Sequence, residues 1–406
     1  MGTSATWVRT PEDVGALTRA LDGVASVSLD TESDNFFHYY DKVCLLQLGV
    51  PDGRVWLVDP LAVRDLSALA PLMASPDVEK IFHNADNDLV LLKRDFGWTF
   101  TRLFDTGLAA RMAGRSSLGL DTLLEKEFGI HHSKKYQRTD WSRRPLEPGQ
   151  ELYAAEDVRH LFALRDKFVA ELKEIGRESW AYEEFDALSK IPPAPPKEPA
   201  DCLKARGAGL LPLRDLAVLR ELFELREEWA RRVDRPLFKV VSDETLFAMA
   251  SGRPRDKASL ARVRGMPRGL LERRADQLLA AIRRGEAVPE DRLPRRPERV
   301  RTRWPRGTPQ RIARLKAWRE KAAPRVKLEP GVLLPQRLID ALAAAPPEDV
   351  AGLEVFPGLR RWRAREFGPE LLLALKGNGP VSAQPDPGAE GSIDEPQQEG
   401  ELPWSG

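Results

Sequence analysis

Residues 25–34 read Ala-Ser-Val-Ser-Leu-Asp-Thr-Glu-Ser-Asp, "ASVSLDTESD". Val27 and Leu29 alternate with small polar residues, the pattern of a strand with one face buried. Asp30, Glu32 and Asp34 then recur at every second position. On a strand that spacing puts the three carboxylates on one face, opposite the apolar one. Like charges so placed repel unless a proton or a cation lies between them. The stretch is therefore read as a strand ending in an acidic site. Asp30 and Glu32 are its members, and Asp34, which has no evident partner, is read as a solvated acid.

Further strands are expected over 43–50 and 54–59, joined by the turn Pro51-Asp52-Gly53 into a hairpin, and over 78–84. "DNDLVLLKRDFG" then has helical spacing, with Gly97 as its stop. More helices are expected over 105–113, 118–128 and 149–175. Strands first, then helices alternating with short strands, make an α/β or α+β domain. The segment "KIPPAPPKEPA" (190–200) cannot continue a helix and reads as a linker.

Beyond it the pattern is wholly helical and repeats with an offset of 93 residues. Ala230 matches Ala323, Gly265 matches Gly358, and Leu278, Leu279 and Ile282 match Leu371, Leu372 and Leu375. Leu225 stands where the second copy has Trp318. The expected organisation is an acid-bearing α/β domain over 1–189, a Pro-rich linker over 190–209, helical modules over 210–290 and 291–376, and a disordered acidic tail over 377–406.

The formal net charge of +1 hides an asymmetry: −8 over residues 1–200, +15 over 201–376 and −6 over 377–406. A basic half joined to an acidic one points to a polyanionic partner, against the plainer reading that an Arg-rich bias decorates a helical surface. No run of 18 apolar residues is present, so no membrane span is expected. Two cysteines, Cys44 and Cys202, at no metal-ligand spacing fit a reduced, cytoplasmic protein without disulfides or structural zinc.

Taken singly, the other acidic motifs say little. Asp88 lies near a helix start, where an acid can serve the helix dipole alone. Tyr153 and Asp157 in "YAAEDV" stand four apart and share a helix face. Together with Asp30 and Glu32, however, Asp88 and Asp157 make four carboxylates at element ends, able to converge on one pocket. Such a set suits hard divalent cations. Two ions about 3.5–4 Å apart can activate water and stabilise a leaving oxygen in phosphodiester cleavage.

"LDTE" (29–32), "FHNADNDL" (82–89) and "YAAEDV" (153–158) resemble the three exonuclease motifs of the DEDD superfamily, in its tyrosine subclass. "KKYQRTDWSRRPL" (134–146) is similar to the loop before the third motif in the ribonuclease D family, and "FDT" (104–106) also fits. The two helical modules resemble HRDC domains, which that family carries in tandem. One departure is Ser33, where relatives often have an apolar residue. The resemblance implies an α/β ribonuclease H-like domain, a mixed sheet flanked by helices, followed by two all-α HRDC-like modules.

It further implies a 3′→5′ exoribonuclease that releases nucleoside 5′-monophosphates from RNA with a free 3′ end, tRNA precursors above all. Asp30, Glu32, Asp88 and Asp157 would ligate two divalent metal ions, Mg²⁺ or Mn²⁺, and Tyr153 would orient or help deprotonate the attacking water. His83, Asn84, Arg138 and Trp141 are candidate substrate contacts. For His83 the plain alternative is a packed, hydrogen-bonded ring, and for Trp141 burial under the third-motif helix. The run "FFHYYDK" (36–42) offers either stacking faces for bases or loop packing. The HRDC-like modules would bind nucleic acid. Two rivals remain open at this point: a DNA exonuclease of the same chemistry, since 2′-hydroxyl contacts come from loops, and a non-catalytic nucleic-acid binder on the same scaffold.

Overall fold

The computed structural model describes residues 5–295 and 304–377. The expected acidic tail, but for Gly377, lies outside the described residues, as do residues 296–303 near the start of the second expected module. Six strands form one mixed sheet: β1 (Thr6–Val8), β2 (Ser26–Ser33), β3 (Val43–Gly49), β4 (Val55–Val58), β5 (Glu79–Phe82) and β6 (Leu103–Asp105). Their order is β1-β4-β3-β2-β5-β6. β3 pairs antiparallel with both β2 and β4, which makes the expected hairpin, whereas β5 runs parallel to β2 and β6. The acid-bearing strand β2 is thus central.

The helices of this half are α1 (Pro11–Ala20), α2 (Ala70–Ala74), α3 (Asp86–Phe96), α4 (Thr106–Met112), α5 (Leu120–Phe128), α6 (Pro148–Arg159), α7 (Leu161–Glu174) and α8 (Glu178–Ser189). Gly97, at φ +68°, closes α3 as the sequence suggests. The helix expected over 149–175 is two helices. His160 ends α6 and precedes α7, its imidazole 2.8 Å from Glu156 Oε2. No Gly or Pro marks this break. β1 and β6, three residues each, are too short for alternation to reveal.

The C-terminal half holds α9 (Leu213–Val233), α10 (Leu237–Val240), α11 (Asp243–Gly252), α12 (Lys257–Ala261) and α13 (Arg268–Glu286), then α14 (Thr308–Arg325), α15 (Pro330–Leu333), α16 (Gln336–Ala344), α17 (Val350–Glu354) and α18 (Arg361–Lys376). The repeat is structural: Gly265 and Gly358 both sit at φ +80°, the left-handed turn that a side chain would strain. The missing tryptophan at Leu225 is replaced one helical turn later. Trp229 donates its indole N–H to Gln277 (3.0 Å), as Trp318 does to Glu370 (2.7 Å), and Gln277 and Glu370 are equivalent positions.

The two modules attach differently. The first has its own apolar core around Leu219, Leu246 and Leu278. The second shares one continuous core with the catalytic domain. Trp180 of α8 stacks on Trp362 of α18 at 4.4 Å, and buried Glu184 pairs with buried Arg363 at 2.5 Å.

The Pro-rich linker is pinned rather than loose. Ala194 donates its amide to the Val90 carbonyl (3.0 Å), and Lys93 Nζ donates to the carbonyls of Ser189 and Ile191.

Candidate active site

Alternation along β2 puts Asp30 and Glu32 on one face, opposite Gln47 and Leu45 of β3 in register. Helix α6 packs across that face. A β-carbon at Gly49 would run into Ser28 Oγ and lie 3.5 Å from Val158, so the bare glycine lets α6 ride close to the sheet. Pro148 in the first turn and a capping box between Glu147 and Gln150 start the helix. It carries Tyr153 and Asp157 over the two strand acids. Ligand oxygens of Asp30, Glu32 and Asp157 all lie within 4.8 Å of one another.

Asp88 stands just outside that trio, in the first turn of α3. The Thr31 hydroxyl, on the other face of β2, donates to its carboxylate. The chain enters α3 through Asn84, held at φ +55°. Asp105, the acid of "FDT", fixes this turn by accepting from the amides of Asn84 (3.1 Å), Ala85 (2.7 Å) and Leu108 (2.8 Å). The "FDT" motif therefore aims Asp88 without meeting the acid cluster itself.

Burial raises all four carboxyls, and the charges of neighbouring acids add to it at Asp30 and Glu32. Burial, then the charges of Asp157 and Asp88, push the Asp30 carboxyl well above its usual range. Burial and the neighbouring acids do the same to Glu32. Burial raises Asp88 to about 6. Burial raises Asp157 as well, opposed by His132. Tyr153 is also pushed up, first by burial and then by the charges of Asp157, Glu32 and Asp30, so its hydroxyl stays protonated.

The donor set fits a hard divalent cation. It is all oxygen, it gathers several carboxylates, and Asp157 Oδ2 is buried without a hydrogen-bond partner. A cation there would offset both the burial of these charges and the mutual repulsion of Asp30 and Glu32 with their neighbours.

His132 escaped the sequence reading. Its Nε2 lies 2.8 Å from Asp157 Oδ1, and its ring stacks on Tyr153 at 5.4 Å. A lone histidine in a loop 25 residues upstream of its partner carries no spacing signal. Thr31 was legible only as the residue between two acids.

Several expectations need correction. Asp34 is not a solvated acid: it is fully buried and accepts from Lys42 through both its amide (2.9 Å) and Nζ (2.5 Å). A residue eight positions away supplied the unseen partner. Trp141, offered as a substrate contact, is 1% exposed and packs beside Leu45, Leu57 and Ala154 under α6, so no ring face is left for a base. His83 is the packed ring of the alternative reading, its two nitrogens 2.8 Å from Thr106 Oγ1 and the Leu118 carbonyl. Asn84 and Arg138 are exposed.

Part of the run 36–42 packs between domains, while Phe36 and Tyr40 stay exposed. Tyr39 is buried and its hydroxyl bonds to Glu227. Asp234, at the end of α9, accepts from His38 Nδ1 (2.7 Å) and from the amides of Tyr39 and Tyr40 (both 3.0 Å). A cleft of about 660 Å³, which none of the four acids lines, opens between β2, α3 and the Pro-rich linker, with Ser33, Asn35, Asn87, Arg94, Pro195 and Lys197 on its walls.

The family model described as 3′-5′ exonuclease matches residues 5–173, and that of the HRDC domain matches 215–282 and 309–375. Ribonuclease D of Gluconacetobacter diazotrophicus is 34% identical over 372 residues, which are 91% of this chain and 92% of the relative. The chain belongs to the ribonuclease D family. Ribonuclease D of Granulibacter bethesdensis is likewise 34% identical, over 93% of this chain and 94% of its own. The crystal structure of Escherichia coli RNase D, described as an exoribonuclease involved in structured RNA processing, superposes with a TM-score of 0.66. It is 25% identical and covers 93% of this chain and 100% of its own.

As a member of this family, the protein is a 3′→5′ exoribonuclease, with an exonuclease domain on a mixed sheet and two HRDC domains. Its family uses divalent metal ions, and its substrate is nucleic acid. Among the described residues no helix is long and apolar enough to cross a membrane.

Proposed function

We propose that Asp30, Glu32, Asp88 and Asp157 hold two divalent cations, Mg²⁺ or Mn²⁺, and that the RNAs trimmed are tRNA precursors with a free 3′ end. The observation that carries this is the gathering of three carboxylates within 4.8 Å, with Asp157 Oδ2 left unbonded. Such ions, when bound, supply an activated water and charge stabilisation of the leaving oxygen. The chain's own residues do the rest. Tyr153, kept neutral, orients the water through its hydroxyl. Thr31 and Asp105 hold Asp88 in place. The terminal nucleotide is held at the acid cluster, with the exposed side chains of Asn84 and Arg138 as further contacts for the RNA.

In this reading residues 1–189 carry the chemistry, 190–209 join the two halves, and 210–290 and 291–376 hold the RNA. A cytoplasmic setting suits the buried free thiols of Cys44 and Cys202. The choice of tRNA precursors is supported by the involvement of the Escherichia coli relative in structured RNA processing. The test is hydrolysis of matched 3′-labelled pre-tRNA, single-stranded RNA and DNA in Mg²⁺ or Mn²⁺. Nucleoside 5′-monophosphates should be released from RNA, with pre-tRNA preferred. Equal cleavage of an unrelated hairpin would reject the tRNA assignment.

A further inference from the structure

The two HRDC domains put the same corner to different uses. At the 93-residue offset, the α12–α13 corner (253–274) corresponds to the α17–α18 corner (346–367). In the second domain this corner is the docking surface. Glu183 accepts from the Arg361 and Trp362 amides, Trp362 stacks on Trp180, and Arg360 and Arg363 pair with Glu184. Its charge is balanced, with four basic and four acidic residues.

The first domain's corner carries eight basic and two acidic residues. Arg255, Arg262, Arg264, Arg268 and Arg273 are exposed there, and none makes a salt bridge among the described residues. Four of these positions hold Glu348, Val355, Pro357 and Glu366 in the second domain. The Arg273 guanidinium folds back over Gly269, 2.9 Å from where a β-carbon would lie, and so joins Arg268 at the first turn of α13.

An Arg-rich composition does not explain this contrast, because both corners belong to one chain and one module type. Nor does stability, since unpaired like charges at one corner repel. Guanidinium forks match phosphate oxygens. The catalytic half is itself net acidic, so long-range attraction of a polyanion has to come from elsewhere in the chain.

We propose that this corner, centred on Arg262, Arg264 and Arg268, grips the phosphodiester backbone of RNA upstream of the 3′ end being trimmed. The proposal rests on the exoribonuclease reading. It predicts positioning without base readout, as phosphate contacts carry no sequence information.

The test is charge reversal in the full chain, R262E/R264E/R268E, beside a control reversal on the catalytic domain, R64E/K126E/K173E. Melting curves establish that both are folded. The readouts are Kd for a 3′-tailed RNA hairpin across a salt series, and the ratio of kcat/KM for that hairpin to kcat/KM for a tetranucleotide. The corner variant should lose tenfold or more in Kd and in the ratio. Its log Kd against log salt should flatten by about 2 for three lost contacts. The control should change neither. Retention of Kd and ratio by the corner variant would overturn the proposal and leave the corner to a protein partner. Equal losses in both variants would also overturn it, as a diffuse charge effect. If the unsubstituted chain fails to trim the tetranucleotide, the exonuclease reading itself fails, which is a separate result.

Discussion

The indoles of Trp180 in the exonuclease domain and Trp362 in the second HRDC domain stack 4.4 Å apart, 13° from parallel. Both are buried, and the core they close runs unbroken from the sheet into α18. The second HRDC domain is therefore part of the catalytic body, while the first is held at its margin by Tyr39, His38 and Asp234.

Trp362→Ala should accordingly cost the whole catalytic half about 3–5 kcal/mol, the range for emptying a large buried aromatic. Thermal melting followed by near-ultraviolet dichroism would show one cooperative transition moved down. A loss confined to a separate transition, with the exonuclease domain melting as before, would mean that the two cores are independent. For the same reason a chain cut at the Pro-rich linker would expose Trp180, so truncation cannot separate RNA capture from chemistry.

Weakening the other contact should act differently. Asp234→Ala removes three hydrogen bonds from the 36–42 loop, each worth about 0.5–1.5 kcal/mol, or more where charged. Hydrogen exchange should rise in residues 36–42 and around the end of α9, with the sheet unaffected. Uniform exchange across the chain would contradict a local latch.

The raised carboxylates give a pH dependence with a definite sign. Glu32 binds its proton more tightly folded than unfolded, because burial and then Asp30, Asp157 and Asp88 oppose its charge. Its contribution to stability is full below the unfolded glutamate pKa, about 4.3, and is lost as pH rises towards the raised folded value. Without metal, Glu32→Gln should gain in Tm relative to the unsubstituted chain between pH 5 and 7. A Tm difference that stays constant or shrinks over that window would show that Glu32 is not under repulsion. Added Mn²⁺ should reverse the ranking at pH 7 by stabilising only the intact site.

Tyr153→Phe removes one hydroxyl beside the cluster and keeps the ring that stacks on His132. If that hydroxyl orients water, the single-turnover rate should fall about 10²–10⁴-fold, the usual range for such groups. RNA affinity should hold. Loss of affinity with an unchanged rate would make Tyr153 a substrate contact only.

Much of this was legible because period and spacing carry it. The alternation of Val27 and Leu29 with Asp30 and Glu32 following marks the central strand and its acidic face, Gly97 marks a real helix end, and Gly265 and Gly358, matched as a repeat, occupy equivalent turns. What stayed hidden depends on partners remote in sequence. Asp34 needed Lys42, Tyr39 needed Glu227, and Asp157 needed His132, pairings no local pattern specifies. Trp141 shows the same limit from the other side: an aromatic in a motif loop reads equally as stacking face or core until α6 is seen lying over it.

The central claim is that Asp30, Glu32, Asp88 and Asp157 form the metal site of an exonuclease. Its most direct test is hydrolysis of 3′-labelled RNA by Asp30→Asn in Mg²⁺ or Mn²⁺. The variant should fold, with a metal-free Tm equal to or above that of the unsubstituted chain because one repelling charge is gone, yet release no nucleoside 5′-monophosphate. Near-normal hydrolysis by Asp30→Asn would contradict the account.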